Sequence, residues 1–107
     1  MNVKIIKLIT AEQIIAIINE VKDDNGADVG FKITFPFLVL TMPLQQNEGD
    51  PLKFDVNYVA WMTASADVDF VIPYTSVIAF GEPGTEIKNM YLKRYQEYLD
   101  YLTEPKV

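Results

Sequence analysis

An Asn-Gly pair at residues 25 and 26, between two apolar runs, constrains the fold of this chain more than any other feature. Both residue types accept a positive φ, and Asn-Gly is the strongest short signal for the two-residue turn of a β-hairpin. On its N-terminal side, Gln13–Val21 contains four isoleucines. A helix is the alternative there, because Thr10–Gln13 could form a capping box. Isoleucines lose χ1 freedom in a helix, so we predict a strand on each side of the turn.

The segment after this turn alternates strictly between apolar residues and other residues. The alternation assigns five apolar positions to one face of a half-buried strand, namely Val29, Phe31, Ile33, Phe35 and Phe37. Beyond Pro36, the segment Leu38–Met42 is apolar on both faces. Proline cannot donate a ladder hydrogen bond, so Pro36 marks an edge, a bulge or a sharp bend. We therefore predict one strand of about 15 residues that bends, as strands do at the corners of small barrels.

Composition and turn signals divide the rest of the chain into further elements. These are a first strand at Val3–Ile9, an exposed loop at Pro43–Pro51, a fourth strand from Leu52 to Ile72 interrupted at Thr63–Asp67, a tight turn at Pro73–Ser76 and a last strand at Val77–Phe80. Thr85 is predicted to cap a helix, with Glu86 near its positive end. The predicted fold is mainly β. It is a small, strongly bent, five-stranded antiparallel barrel over residues 1–82, with a C-terminal amphipathic α-helix over residues 84–103 packed on the same domain.

The chain carries more apolar surface than one small barrel can bury. Gln13–Val21, Leu38–Met42 and Val59–Met62 are each apolar on both faces, whereas a small barrel has a single interior. The apolar stripe of the helix also covers more than half of its circumference, so we expect the helix to contact more than one surface. The excess apolar surface and the free edge of the last strand predict pairing with further copies of the chain. The copies form a ring if the rotation between neighbours returns to the first copy. The candidate interface residues are Trp61, Val77, Ile78 and Phe80.

The absence of histidine and cysteine excludes several kinds of chemistry. Imidazole bases, thiolate nucleophiles and Cys/His zinc sites are all removed. Ser65 and Ser76 have no histidine to activate them. The acidic segment 23–28 superficially resembles a calcium loop, but it lacks the downstream glutamate that such loops use. We therefore predict no enzymatic activity, no cofactor and no metal site.

The charge balance limits which partners the chain can take. It has 9 basic and 15 acidic residues, a net charge of -6, and Arg94 is its one arginine. A strong duplex binder needs many cations on the phosphates, so duplex DNA is disfavoured. Single-stranded nucleic acid is less excluded, because base stacking on aromatic rings can supply part of the binding free energy. No apolar run approaches the ~20 residues of a membrane span, and the lack of cysteine fits the cytoplasm.

The order of these elements resembles the Sm/LSm/Hfq family. Val71–Ile78 looks like the second Sm motif, in which the fourth strand passes through a tight turn into the fifth. Val3–Asn25, followed by Phe35–Leu40, resembles the first motif. The sequence around Trp61-Met62 and over Ile72–Pro83 is similar to that of Sm-like proteins of marine cyanophage. The resemblance covers roughly residues 2–81.

This resemblance implies a homo-oligomeric ring of five to seven subunits that binds single-stranded RNA, in the host cytoplasm if the chain is phage-encoded. In such rings, bases bind between the loop joining strands two and three and the loop joining strands four and five. Those positions correspond here to Asp23, Asp24 and Asn25, and to Tyr74 and Thr75. The second turn has no cation where the family usually has Arg-Gly or Lys-His, and the helix follows the barrel rather than preceding it. The alternative function is a ring-forming structural or adaptor module that binds a protein partner, which the acidic charge favours.

Overall fold

The structure is a computed structural model that describes residues 1–44, 47–49 and 53–104. Within these ranges the chain forms six strands, one short 3₁₀ turn and one helix. The strands are β1 (Val3–Leu8), β2 (Gln13–Lys22), β3 (Asp28–Pro43), β4 (Phe54–Ala60), β5 (Asp69–Pro73) and β6 (Val77–Gly81). The 3₁₀ turn is Tyr74–Ser76, and helix α1 is Thr85–Thr103. Part of the predicted loop at Pro43–Pro51, and Leu52 at the predicted start of the fourth strand, lie outside the described residues.

The strands form one antiparallel sheet, so the predicted mainly β fold with one C-terminal helix is confirmed. The order is β4-β3-β2-β1-β6, and β5 pairs with β3 beside β4. Strand β3 is long enough to pair with β5 along its first half and with β4 along its second half. The described residues thus contain six strands rather than the predicted five, because Trp61–Val68 leaves the sheet and divides the predicted fourth strand into β4 and β5.

The hairpin between β2 and β3 is confirmed, although its turn differs from the prediction. Only Gly26 has a positive φ, of 81°. The Gly26 N–H donates to the Asp23 carbonyl at 3.0 Å, and the Asp23 N–H donates to the Ala27 carbonyl at 2.8 Å. This is a longer loop in which a turn is followed by a left-handed glycine. The Asp23 carboxylate stabilises this loop by accepting hydrogen bonds from the N–H groups of Asn25 and Ala27, each at 2.9 Å.

The strict alternation predicted for Asp28–Phe37 is wrong from Phe35 onward. Phe31 and Ile33 face the inside of the bent sheet, whereas Phe35 and Phe37 face the other side. The reason is that Phe35 has a φ of 53°, a left-handed conformation that inverts the alternation at one residue. The β2–β3 register shifts at the same place, between Ile15 and Ile17. The predicted bend at Pro36 is therefore present, as a β-bulge.

The bent sheet has an apolar core on each side. The inner core lies inside the bend and consists of Ile6, Leu8, Ile14, Ala16, Ile18, Ile33 and Ile72. The outer core lies between the sheet and the helix and consists of Val3, Ile15, Ile17, Val39 and Tyr91. Adjacent isoleucines of β2 enter opposite cores, which explains why that strand is apolar on both faces.

Helix α1 covers the outer side of the sheet with one face. Its N-cap residue is Gly84, which makes no side-chain capping bond, so the prediction that Thr85 caps the helix is wrong. Tyr91 is its one fully buried residue, at 1% exposure. Tyr101 and Leu102, near its end, are 60% and 51% exposed. The second surface that we expected the helix to contact stays a prediction.

Candidate nucleic-acid interface

The two turns that the sequence suggests for RNA binding lie at the same end of the bent sheet. Strand β3 starts at Asp28, and its third residue, Gly30, pairs with Pro73 at the end of β5. Tyr74 follows directly, and its ring meets Phe31 edge-on, with the centroids 4.7 Å apart. The strand register therefore brings the β2–β3 turn and the 3₁₀ turn side by side.

Gly30 is what allows this close approach. A Cβ atom at Gly30 would collide with the carbonyl oxygen of Ile72 and would lie 3.3 Å from the Cα of Pro73. Only a residue without a side chain lets β5 come this near to β3. The position of the 3₁₀ turn relative to the hairpin turn thus depends on one glycine, which the sequence pattern did not single out.

Within the hairpin turn, the candidate side chains differ in what they can still bind. The Asp23 carboxylate already accepts two backbone hydrogen bonds, so it is a structural group of the turn. Asp24 and Asn25 are exposed, as is Thr75 on the neighbouring turn. The exposed candidates for contacting a base are therefore the Asn25 amide and the Thr75 hydroxyl.

Tyr74 is partly buried, and its hydroxyl end is held inside the protein. Its hydroxyl is buried and has no hydrogen-bond partner among the described residues. Burial raises the pKa of this hydroxyl, and the Asp28 and Glu20 carboxylates raise the pKa further. Its ring packs against Phe31, which contacts Phe80 in the same edge-on geometry at 5.1 Å. These three residues form an aromatic row, Tyr74–Phe31–Phe80, which runs across the end of the sheet.

The charges at this end are mainly negative. Lys22 lies 3.7 Å from Asp28, and Lys4 forms an ion pair with Glu82. The ion pair lowers the pKa of Glu82. In the described ranges, no group of three or more acidic side chains is arranged to hold a metal ion.

The predicted interface residues occupy three different environments. Ile78 is 63% exposed and lies at the register shift between β1 and β6. Phe80 is 46% exposed, on the same strand. Val77 and Trp61 are only partly exposed and pack against the inner core, Trp61 also contacting the ring of Phe70.

Val71 was missed by the sequence reasoning, although it is 63% exposed on β5. It lies between Phe70 and Ile72, which both face inward, so the alternation of β5 alone could have shown that it points outward.

Comparison with protein families agrees with this architecture. The sequence matches the Sm_like domain over residues 5–92. The chain belongs to the Sm-like family. Its Sm-like domain extends from β1 into the first two turns of helix α1 and includes Tyr91. No curated protein matches the chain significantly. Within the residues that the structure describes, no helix combines the length and the apolar character needed to cross a membrane.

Proposed function

We propose that this Sm-like protein assembles into a closed ring of five to seven copies and binds single-stranded RNA at the paired turns. Sm-like proteins are generally ring-forming and associated with RNA. The observation that carries the proposal is that β5 and β6 each leave one strand edge open, with a large exposed apolar side chain on each of these strands. We propose binding rather than catalysis, with the cytoplasm as the compartment. The phage resemblance stays a prediction.

Strands β5 and β6 each have one open edge, as β4 does. Among the described residues, β6 pairs only with β1, and β5 pairs only with β3. Each therefore presents unpaired N–H and C=O groups along its other side, which is a template for a further strand. Val71 on β5 and Ile78 on β6 are both 63% exposed. Pairing β6 of one copy with β5 of the next would cover both side chains, and such a head-to-tail contact repeats until it closes.

The isolated chain also has more surface than a monomer of its size needs. Its accessible surface is 7551 Å², whereas a folded monomer of 12.2 kDa has about 6,100 Å². The radius of gyration is 16.3 Å, compared with about 13 Å for a compact domain of this length. The excess is on the order of the 1,200–2,000 Å² that a stable interface buries. A ring would remove it.

Mass measured by light scattering tests the ring. We expect several times the chain mass of 12.2 kDa, unchanged by moderate dilution. Ile78→Lys should lower this mass, because the lysine charge would be buried against the next copy. Lys93→Gln, on the exposed face of helix α1, is the control that changes the net charge by the same amount. A wild-type monomer would refute the ring.

The proposed RNA contact uses the amide of Asn25, the ring of Tyr74 and the hydroxyl of Thr75. Asp24 and the other carboxylates at this end oppose phosphates, so we expect weak binding that falls as salt rises. The proximity of the two turns supports the contact, since a base between them would reach polar groups from both.

Titration with short oligo-U and oligo-A, at low and moderate salt, tests the RNA contact. Tyr74→Ala should weaken binding by on the order of 1–3 kcal/mol if the ring stacks on a base. Tyr101→Ala removes an exposed tyrosine of helix α1 and should leave binding unchanged. If neither oligonucleotide binds an intact ring at high protein concentration, the RNA contact is refuted.

The second candidate function, a structural or adaptor module with a protein partner, is favoured by one specific observation. The lysines at the turn end, Lys4 and Lys22, are each paired with a carboxylate, so they are poorly placed to neutralise phosphates. A ring that binds neither oligonucleotide would favour this function.

A further inference from the structure

A cavity of about 210 Å³ opens at the end of the inner core, beside the aromatic row. We call it the mouth pocket, and its lining residues are Asn2, Lys4, Ile18, Asn19, Glu20, Phe31 and Phe80. Its volume lies below the roughly 300–1,000 Å³ of sites for drug-sized molecules. The pocket therefore suits a single side chain or ring rather than a whole ligand.

The apolar part of the mouth pocket presents aromatic surface. Ile18 belongs to the inner core, and Phe31 packs against that core. Phe80 is 46% exposed and meets Phe31 edge-on. The exposed surface of Phe80 thus provides a ring against which a flat group can lie.

The charged residues that line the mouth pocket are Lys4 and Glu20. Lys4 is paired with Glu82, so its charge is already compensated. Glu20 lines the pocket, and its carboxylate has no ion-pair or hydrogen-bond partner among the described residues. Counting Lys4 as positive, and Glu82 and Glu20 as negative, leaves one net negative charge. An anionic ligand is disfavoured here, and a cation is favoured.

A planar cation satisfies both parts of the pocket at once. A guanidinium group stacks on aromatic faces and also donates paired hydrogen bonds to a carboxylate. A guanidinium group already lies over aromatic rings elsewhere in this protein. The guanidinium carbon of Arg94 is 5.7 Å from the centroid of Phe37 and 5.9 Å from that of Tyr58. Arg94 is the one arginine of this chain and is engaged there, so the occupant must come from another molecule.

We infer that the mouth pocket binds an arginine side chain of a protein partner, with Glu20 pairing with the guanidinium and Phe80 stacking on it. The inference goes beyond the proposed RNA contact and does not depend on it, since the pocket is formed within one chain and has a different ligand chemistry.

The test uses the full chain labelled with ¹⁵N and the peptide acetyl-Ser-Gly-Arg-Gly-Ser-amide. Matched peptides carry lysine or citrulline in place of arginine. Citrulline has the same shape as arginine but no charge. We expect the amide signals of Glu20, Phe31 and Phe80 to shift with the arginine peptide, to shift less with lysine and not to shift with citrulline.

Two variants assign the contacts. Glu20→Gln should weaken arginine binding by about two- to fivefold, because an ion pair that is exposed to solvent is lost. Phe80→Leu keeps an apolar side chain but removes the ring, and should weaken binding by about two- to fivefold. Glu97→Gln, on helix α1, removes the same charge away from the pocket and should leave binding unchanged.

Four results would overturn the inference. The first is the absence of shifts at millimolar arginine peptide. The second is equal binding of the arginine and citrulline peptides, and the third is equal weakening by Glu20→Gln and Glu97→Gln. The fourth is that oligo-A or oligo-U, rather than the peptide, shifts these same signals. A wild-type protein that is monomeric in light scattering but binds the arginine peptide as expected would refute the proposed assembly while supporting the pocket.

Discussion

The hydroxyl of Tyr91 joins helix α1 to the bend of the sheet, and its removal should destabilise the fold measurably. The hydroxyl accepts a hydrogen bond from the N–H of Ile17 at 3.1 Å and donates one to the carbonyl of Thr34 at 2.9 Å. These two residues face each other across β2 and β3, next to the bulge where the register shifts. A tyrosine from the helix therefore satisfies backbone groups at the strained corner of the sheet.

The variant Tyr91→Phe keeps the ring and leaves both backbone groups without a partner. A buried group that loses its hydrogen bond costs about 1–3 kcal/mol. Tyr91 is 1% exposed, which leaves little access for water, and Ile17 is 7% exposed, whereas the Thr34 carbonyl is only partly buried. We therefore expect a loss of about 2–3 kcal/mol, which is large against the 5–15 kcal/mol of a typical domain. The melting temperature should fall by roughly 10–20 °C.

Urea unfolding followed by circular dichroism measures this loss, at one fixed protein concentration because assembly contributes to stability. Tyr95→Phe is the matched control. Tyr95 stacks on Tyr91 at 6.5 Å in the same cluster, but its hydroxyl has no hydrogen-bond partner among the described residues. We expect it to change stability by less than about 0.5 kcal/mol. If the two variants agree within that margin, the hydroxyl of Tyr91 does not hold the bend and the reasoning is refuted.

Three further predictions follow from the backbone and from the same tyrosine. Gly30→Ala should cost about 1–3 kcal/mol in urea unfolding, because the added methyl meets the carbonyl of Ile72, whereas Gly81→Ala meets nothing within 4 Å and should be nearly neutral; equal effects would contradict the close approach of β3 and β5. Gly26→Val should cost about 1–2 kcal/mol because the φ of 81° is unfavourable for a β-branched residue, and Gly26→Asn should cost less; equal costs would refute a left-handed requirement. Burial raises the pKa of Tyr91 above its ordinary value of 10.0, so the unfolded chain loses this proton at a lower pH than the folded chain. The stability that Tyr91 contributes is therefore complete below that pH and falls as the pH rises through and above it. Between about pH 9 and about pH 11, Tyr91→Phe should lose less stability than the wild type, and an equal loss would contradict the assignment.

The local parts of this fold could be predicted from the sequence, because their causes lie within a few residues. The Asn-Gly pair with apolar runs on both sides predicts the hairpin, and the isoleucines favour strand over helix. The helix follows from its periodicity. The element order and the Val71–Ile78 segment indicate the family, because the lengths of turns and strands determine which strands can pair.

Other features depend on contacts between distant segments, so the sequence alone did not show them. Phe35 adopts a left-handed conformation that a phenylalanine does not prefer, and the surrounding aromatic rings hold it there. The role of Tyr91 is invisible in its helical stripe, where it resembles the other tyrosines. The candidate RNA site could be placed by analogy, but the orientation of Tyr74 could not, since it depends on Phe31 in another strand.

Cross-linking between the edges of β5 and β6 tests whether the copies form a closed head-to-tail ring. The chain has no cysteine, so the double variant Val71→Cys, Ile78→Cys places one thiol on each edge. Treated with a short bismaleimide at low protein concentration, a closed head-to-tail ring should give a denaturing-gel ladder that ends at one fixed number between five and seven. Either single variant should give no ladder. A double variant that stays a single chain, stops at a dimer or extends without a fixed end would contradict the closed ring.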